Sequence, residues 1–399
     1  MKTIVKRLIR DEKGTALVLA LILLLVGGLI TAGLLSHMGV GLLAGEIYER
    51  RTDELYAADA GVEDAIWKIQ NQDGYLPCNP GSPPSNYTVT DVNGKSMEIS
   101  IDYVDGGTYK ITSIAATDDD SGTAAIESAT TIEAYLSVSY LDLAALLDNA
   151  IISQDTITIQ PNNTINGDIW LPDEEDLYVG NHVSINGTVK DNDNMTITWP
   201  TAEQLSSYYM DDVEGAYDPG SFIDIKDLNP KTIGPWYREG SLAVDNTGGP
   251  TTLDLEGTIY VAGDLEFWQP SDDNEYTINL NGQTIFAEGS ISFASNHITI
   301  SGSGCIIAVG DINFQPGIAG GEDDFVLVLS ITGQTYFHPS GDFTGCVAGN
   351  TEVQLQPGCT INWISPEGKG LDVPMGVGDD GKLTPVTGVS IESWEVTQQ

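Results

Sequence analysis

A run of thirty residues without a single charge limits what this chain can become more than any other feature. From Thr15 to Ala44 it reads TALVLALILLLVGGLITAGLLSHMGVGLLA. As a helix it is long enough to cross the roughly 30 Å of bilayer hydrocarbon. Gly27, Gly28, Gly33, Gly39 and Gly41 would weaken a helix in water but are common in membrane helices. Lys2, Lys6, Arg7, Arg10 and Lys13 precede the run, and by the positive-inside rule they stay in the cytoplasm. Everything after the run is therefore expected outside. A cleaved secretory signal has an apolar stretch of about 7–15 residues, roughly half of this one.

The charge balance agrees. The 399 residues hold 58 acids and 16 bases, a formal charge of −42. Residues 1–68 are nearly neutral with eight bases and nine acids, so 49 acids and eight bases fall in 69–399. A nucleic-acid surface needs clustered Lys and Arg to neutralise phosphates, and this part has none. Acidity here reads as the solvated surface of an exported region. Four Cys are too few for a disulfide scaffold.

The apolar run passes without a break into GEIYERRTDELYAADAGVEDAIWKIQNQ. There Ile47, Leu55, Val62, Ile66 and Ile69 form an amphipathic stripe, and Gly74, Pro77, Pro80, Pro83 and Pro84 end it. One helix over 15–72 is expected, lipid-facing or filament-facing in its first half and packed on a globular head in its second.

A short basic leader ending in Gly14, the run that follows, and ELYAADAGVEDAI together resemble the N-terminus of the PilX family of type IV pilus assembly proteins. Minor pseudopilins of type II secretion systems are similar. The resemblance covers about residues 1–70, and its most telling part is Tyr56-Ala57-Ala58-Asp59-Ala60-Gly61-Val62-Glu63. It implies that a prepilin peptidase cuts between Gly14 and Thr15, and that Leu19, Leu25, Leu29 and Leu34 face lipid or other pilin-like subunits. Two features depart from major pilins. Leu19 stands where those carry a Glu five residues into the mature chain, and Thr15 is neither aromatic nor Met. The resemblance thus implies a minor or tip component, or a pilin-like anchor that never polymerises.

From Asn86 the pattern changes to period two. NYTVTDV and KSMEISIDYV flank Asn93-Gly94, a strong hairpin signal. TYKITSIAA and a strand bearing Ile126, Ile132, Leu136 and Val138 follow, so 73–140 reads as a small antiparallel β domain. Asp118-Asp119-Asp120 between them lacks a spaced calcium-loop pattern and reads as an acidic turn.

The remainder repeats itself. GTIYVAGDLEFWQP, QTIFAEGSISFASN, GCIIAVGDINFQPG, GQTYFHPSG and GCVAGNTEVQLQPG each carry a bulky residue near the end. These are Phe267, Phe293, Phe314, Phe337 and Leu355, at intervals of 26, 21, 23 and 18 residues. Short strands at such a period, with no helical pattern between them, predict a right-handed β-helix over 141–370 whose rungs bury one another. A β-sandwich is the competing architecture. Residues 200–250, with Tyr208, Tyr209, Met210, Trp236 and Tyr237, read as an insertion loop or binding surface, and 371–399 as a C-terminal tail. A β-helix on such a start is also similar to exported bacterial proteins of bactofilin-like, polymer-forming type.

The fold class expected is therefore mainly β with one long N-terminal α-helix. No catalytic, cofactor or metal constellation stands out. Asp264 and Asp311 hold matching repeat positions, but their counterparts are Ser290 and Gln334, so turn carboxylates are expected rather than a glycan-cleaving pair. His182, His297 and His338 lack ligand spacing. Cys305 and Cys346 sit two rungs apart, about 9–10 Å, beyond disulfide reach. Buried thiols are expected unless the register sets Cys346 beside Cys359; Cys78 lies in a Pro-rich turn. The expected role is assembly and display, with membrane lipid, pilin-like subunits, the peptidase and a surface glycan or cell-surface target as partners. A membrane-tethered glycan-acting enzyme and a cell-wall spacer or adhesin are the alternatives.

Overall fold

The computed structural model describes residues 15–71, 75–77, 81–105, 107–116, 129–191, 197–268, 273–374 and 384–398. Gly14 and the leader, Cys78 and Asp118–Asp120 lie outside the described residues. The chain divides into two compact units, one of residues 1–137 with 389–399 and one of 138–388. It is mainly β with one long helix.

In the first unit, Thr15–Asn71 is one continuous helix of 57 residues, about 85 Å at 1.5 Å per residue. Its N-terminal half is apolar and exposed on all sides. It is long and apolar enough to cross a membrane. The second half buries Ala57, Ala58, Val62, Ala65 and Ile69 against an antiparallel sheet.

That sheet takes β1 (Ser85–Val92), β2 (Lys95–Asp105), β3 (Thr108–Ala116) and β4 (Ala129–Tyr140) in order. Alternation is strict: Met97, Ile99 and Ile101 from β2 and Ile111 and Ala115 from β3 point inward. Asn93 and Gly94 both have positive φ, which fits the tight β1–β2 turn. The segment read as a tail is not one throughout. Val386–Gln398 is a strand that adds to the sheet beside β4. Its pairing partner is some 250 residues away, so nothing local in the sequence marks it.

The second unit is a β-solenoid with three faces. The first face stacks Trp236–Arg238, Ile259–Val261, Thr284–Ala287, Gly304–Ala308, Val326–Ser330 and the end of Asp342–Gly349 in parallel register. The second is a nine-stranded sheet, and the third runs through Thr251–Leu255, Tyr276–Asn279 and Ile298–Ser301. Asp342–Gly349 turns the corner and pairs on both the third and first faces.

The coils do not stack in chain order. Ile151–Ser153, Thr156–Ile159 and Thr164–Asn166 pair with the last coil through Val347, Val353 and Ile361. The chain thus enters in the middle of the stack and builds outward to Lys190. It resumes at the far end from Phe222 and returns to its starting point. Its two ends meet, with Leu141 N donating to Pro385 O at 2.8 Å.

This corrects the extent of the insertion. Residues 222–245 are solenoid strands, and the excursion holds the side helix Ala202–Met210. That helix opens on a capping box, in which Thr201 and Gln204 exchange side-chain and backbone bonds. It buries Leu205, Tyr208 and Tyr209 on the outer side of the first face, where Tyr260, Phe286, Cys305, Leu327 and Leu329 form one cluster with them. Both sides of this face are covered, which is why its strands are continuously apolar instead of alternating.

Candidate functional site

The feature with the clearest functional chemistry is the bare half of the N-terminal helix. Leu19 is 64% exposed, and Leu25, Leu29 and Leu34 are exposed to a similar degree. Beyond the helix's own adjacent backbone, no heavy atom lies within 4 Å of a Cβ built on Gly27, Gly28, Gly33, Gly39, Gly41 or Gly45. Thr31 hides its hydroxyl by donating to Gly27 O at 2.8 Å, so between Ala16 and Ala44 the only other polar side chains are Ser36 and His37. Water is a poor solvent for such a surface. Lipid tails or other apolar helices suit it, and the small residues permit close helix–helix approach. Thr15 is the first of the described residues of the helix.

The small-residue segment below serves the head. A Cβ on Gly61 would lie 2.3 Å from Ser113 Oγ and 3.3 Å from Ile99 Cδ1. The Ala-Gly run therefore lets the helix backbone sit directly on the sheet, and Val62 and Ile69 are buried with it.

In the solenoid, the five repeat residues form one column. Phe267, Phe293, Phe314, Phe337 and Leu355 pair in register on the second face and all are buried. Phe267 stacks on Phe293 at 4.8 Å and Phe314 on Phe337 at 5.2 Å, with an edge-on contact of 5.4 Å between Phe293 and Phe314. From the third face, Phe343 packs edge-on against Phe337 at 4.9 Å.

The matching carboxylates have a structural use. Asp264 N donates to Ser241 Oγ, Ser290 N to Asp264 Oδ1, Asp311 N to Ser290 Oγ and Gln334 N to Asp311 Oδ1, at 2.8–3.2 Å. Each corner side chain caps the backbone of the next coil. Asp168 does the same for Thr188 N at 2.8 Å and also pairs with Lys190 at 2.7 Å. The Lys190 bond and then the Thr188 amide hold its carboxyl below the usual range.

Cys305, Cys346 and Cys359 are free and buried. Leu327 separates Cys305 from Cys346 in the first-face register. Cys359 lies at a corner, where its Sγ is 3.2 Å from Gln356 O. Burial raises all three thiols, that of Cys359 to about 12. His297 Nδ1 lies 3.4 Å from Glu275 Oε1, and His182 occupies a corner at φ 59°. Among the described residues no His, Cys, Asp and Glu group could hold a metal ion.

Sequence reasoning missed three structural features: the side helix, the C-terminal strand and the break in coil order. A signal for the last exists in Thr164-Ile165-Asn166, Ser184-Ile185-Asn186 and Thr360-Ile361-Asn362. These stack as neighbours. The tyrosines read as a loop surface are cover instead: Tyr209 OH donates to Asp372 O at 2.8 Å and its ring meets Phe286 at 5.2 Å.

The fold defines a class: a β-solenoid carried between two strands of a small sheet that seats a partly bare apolar helix. No family model and no curated protein matches the chain. Similar solved structures include the competence-associated pilin ComZ from Thermus thermophilus, 12% identical, with a TM-score of 0.24, covering 87% of this chain and 98% of that one. An ice-binding protein from an Antarctic Biological Consortium is 15% identical (TM-score 0.24) over 56% of this chain and 91% of its own. The glycosylated ice-binding protein LeIBP from Arctic yeast is 17% identical (TM-score 0.23) over 56% and 94%.

Proposed function

We propose that this is an exported, membrane-anchored, pilin-like structural protein, a minor or tip component of a type IV pilus or related assembly. The observation that carries the reading is the single helix of 57 residues, bare and apolar in one half and seated through Gly61 on an antiparallel sheet in the other. The leader stays inside, a prepilin peptidase cuts at the Gly14–Thr15 bond, and the solenoid is displayed outside.

Leu19 lacks the carboxylate that would pair with a neighbour's α-amine in an apolar filament core. That favours a place at the end of a filament over one in its repeating body. The solenoid works by display, spacing or adhesion to a glycan or cell-surface target, without catalysis. The capping roles of Asp264 and Asp311 support this, because carboxylates engaged by backbone amides are poorly placed as acid and base.

The test is fractionation with surface proteolysis of intact cells. Membrane-bound chain whose solenoid is cut from outside supports the reading. A chain that stays with the soluble cytoplasmic fraction overturns it.

A further inference from the structure

The two ends of the solenoid differ. At the end formed by Phe222–Arg238 the core is closed. Ile223, Ile225, Ile233 and Trp236 are buried, and Lys231 Nζ donates to Ile225 O at 2.6 Å and Lys226 O at 2.8 Å. Tyr217 bridges Trp236 beyond the last strand.

The terminal strands at both ends are paired on one side only among the described residues, but at the other end, formed by Leu177–Val179, Ser184–Ile185 and Val189–Lys190, the core is left less covered. Val179 continues the column of Leu355 and Ile159 yet is 49% exposed, and Tyr178 is 57% exposed. Val183, Ile185 and Val189 are only partly buried on the core. Solenoids ordinarily close such ends with a capping repeat, and an open edge is a template for another strand.

The edge also specifies what fits it. Asn166 Nδ2 donates to Asn362 Oδ1 at 2.7 Å and Asn186 Nδ2 to Asn166 Oδ1 at 2.8 Å. The ladder stops with Asn186 Oδ1 as its last acceptor. Thr360, Thr164 and Ser184 form one column beside it, and Ile361, Ile165 and Ile185 another. A strand continuing this pattern presents Thr or Ser, then Ile, then Asn. Charge sets the flanks: Asp173, Glu174 and Glu175 are exposed on the turn leading into the edge, with Asp176 and Asp191 nearby in sequence. A second copy would oppose this rim with its own, at a formal charge of −42 on each chain.

We propose that this open end binds a strand from a different protein by parallel β-addition, with a Thr-Ile-Asn-like core and Lys or Arg flanks. The full chain in detergent micelles tests it, with a labelled Lys-flanked peptide of core Asn-Thr-Ile-Asn-Gly as probe and fluorescence anisotropy as readout. Saturable binding is expected, about tenfold weaker in Ser184→Lys and in Asn186→Ala, a loss of ~1.4 kcal/mol. A Glu-flanked peptide of the same core and a Lys-flanked scrambled core should not bind. Both substitutions fall on exposed positions, and circular dichroism verifies that each variant is folded; if one is not, the other decides. Absence of saturable binding overturns the proposal, as does equal binding of the scrambled peptide or undiminished binding by folded variants. A dimer in sedimentation that Ser184→Lys abolishes would give the edge to a second copy and also overturn it. Binding here needs no leader cleavage, so its failure leaves the pilin-like reading standing.

Discussion

Gly61 shows how much one residue can decide. A helix interior normally prefers Ala over Gly by up to about 1 kcal/mol, and Gly45, with nothing near its Cβ, should follow that rule. Gly61 should not, because Ser113 and Ile99 occupy the space. Gly61→Val is expected to destabilise the chain by about 1–3 kcal/mol in urea unfolding, as overpacking does, and Ser113→Ala in the same chain should recover part of the loss. Asp168 gives a second prediction. Its carboxyl is held below the ordinary value, so its contribution is full above about pH 4, the unfolded value, and fades as pH falls through the folded one. Asp168→Asn should therefore lower the urea midpoint at pH 7, and the gap to the parent should shrink below about pH 4. A gap independent of pH would refute the role given to Lys190.

Elements were legible where residues near in sequence decide them. The Asn93-Gly94 hairpin and the long helix are of that kind. So is the Phe267-to-Leu355 column, because each coil repeats the same inward residue before its corner. Asp264, Ser290, Asp311 and Gln334 could be aligned by the same repeat, and the structure shows the reason: each occupies the corner that caps the next coil. What sequence could not show depends on distant partners. The side helix is apolar only on the face that meets Tyr260 and Phe286, and the C-terminal strand depends on β4. Phe314 sits between stacked Phe337 and edge-on Phe293, so Phe314→Ala should cost about 3–5 kcal/mol in thermal or urea unfolding. Cys305, Cys346 and Cys359, buried with raised thiol pKa values, should escape a thiol reagent in the native state and react on unfolding. Rapid native modification of any of the three, read by mass, would contradict that burial.

At the scale of the whole molecule, the solenoid is an insertion whose ends meet at Leu141 and Pro385, so a long domain leaves the order of the small sheet undisturbed. The concentration of acids after residue 69, first visible as a bare count, belongs to these β regions, while the bare helix carries no charge from Thr15 to Ala44. Those two surfaces call for different solvents, and an exported protein held by its N-terminus satisfies both. The most direct measurement of that account is the mass of the mature N-terminal peptide from cells making the full chain with a prepilin peptidase. A first residue of Thr15 is the expected result; a chain still starting at Met1, or one cut within the apolar run, would contradict it.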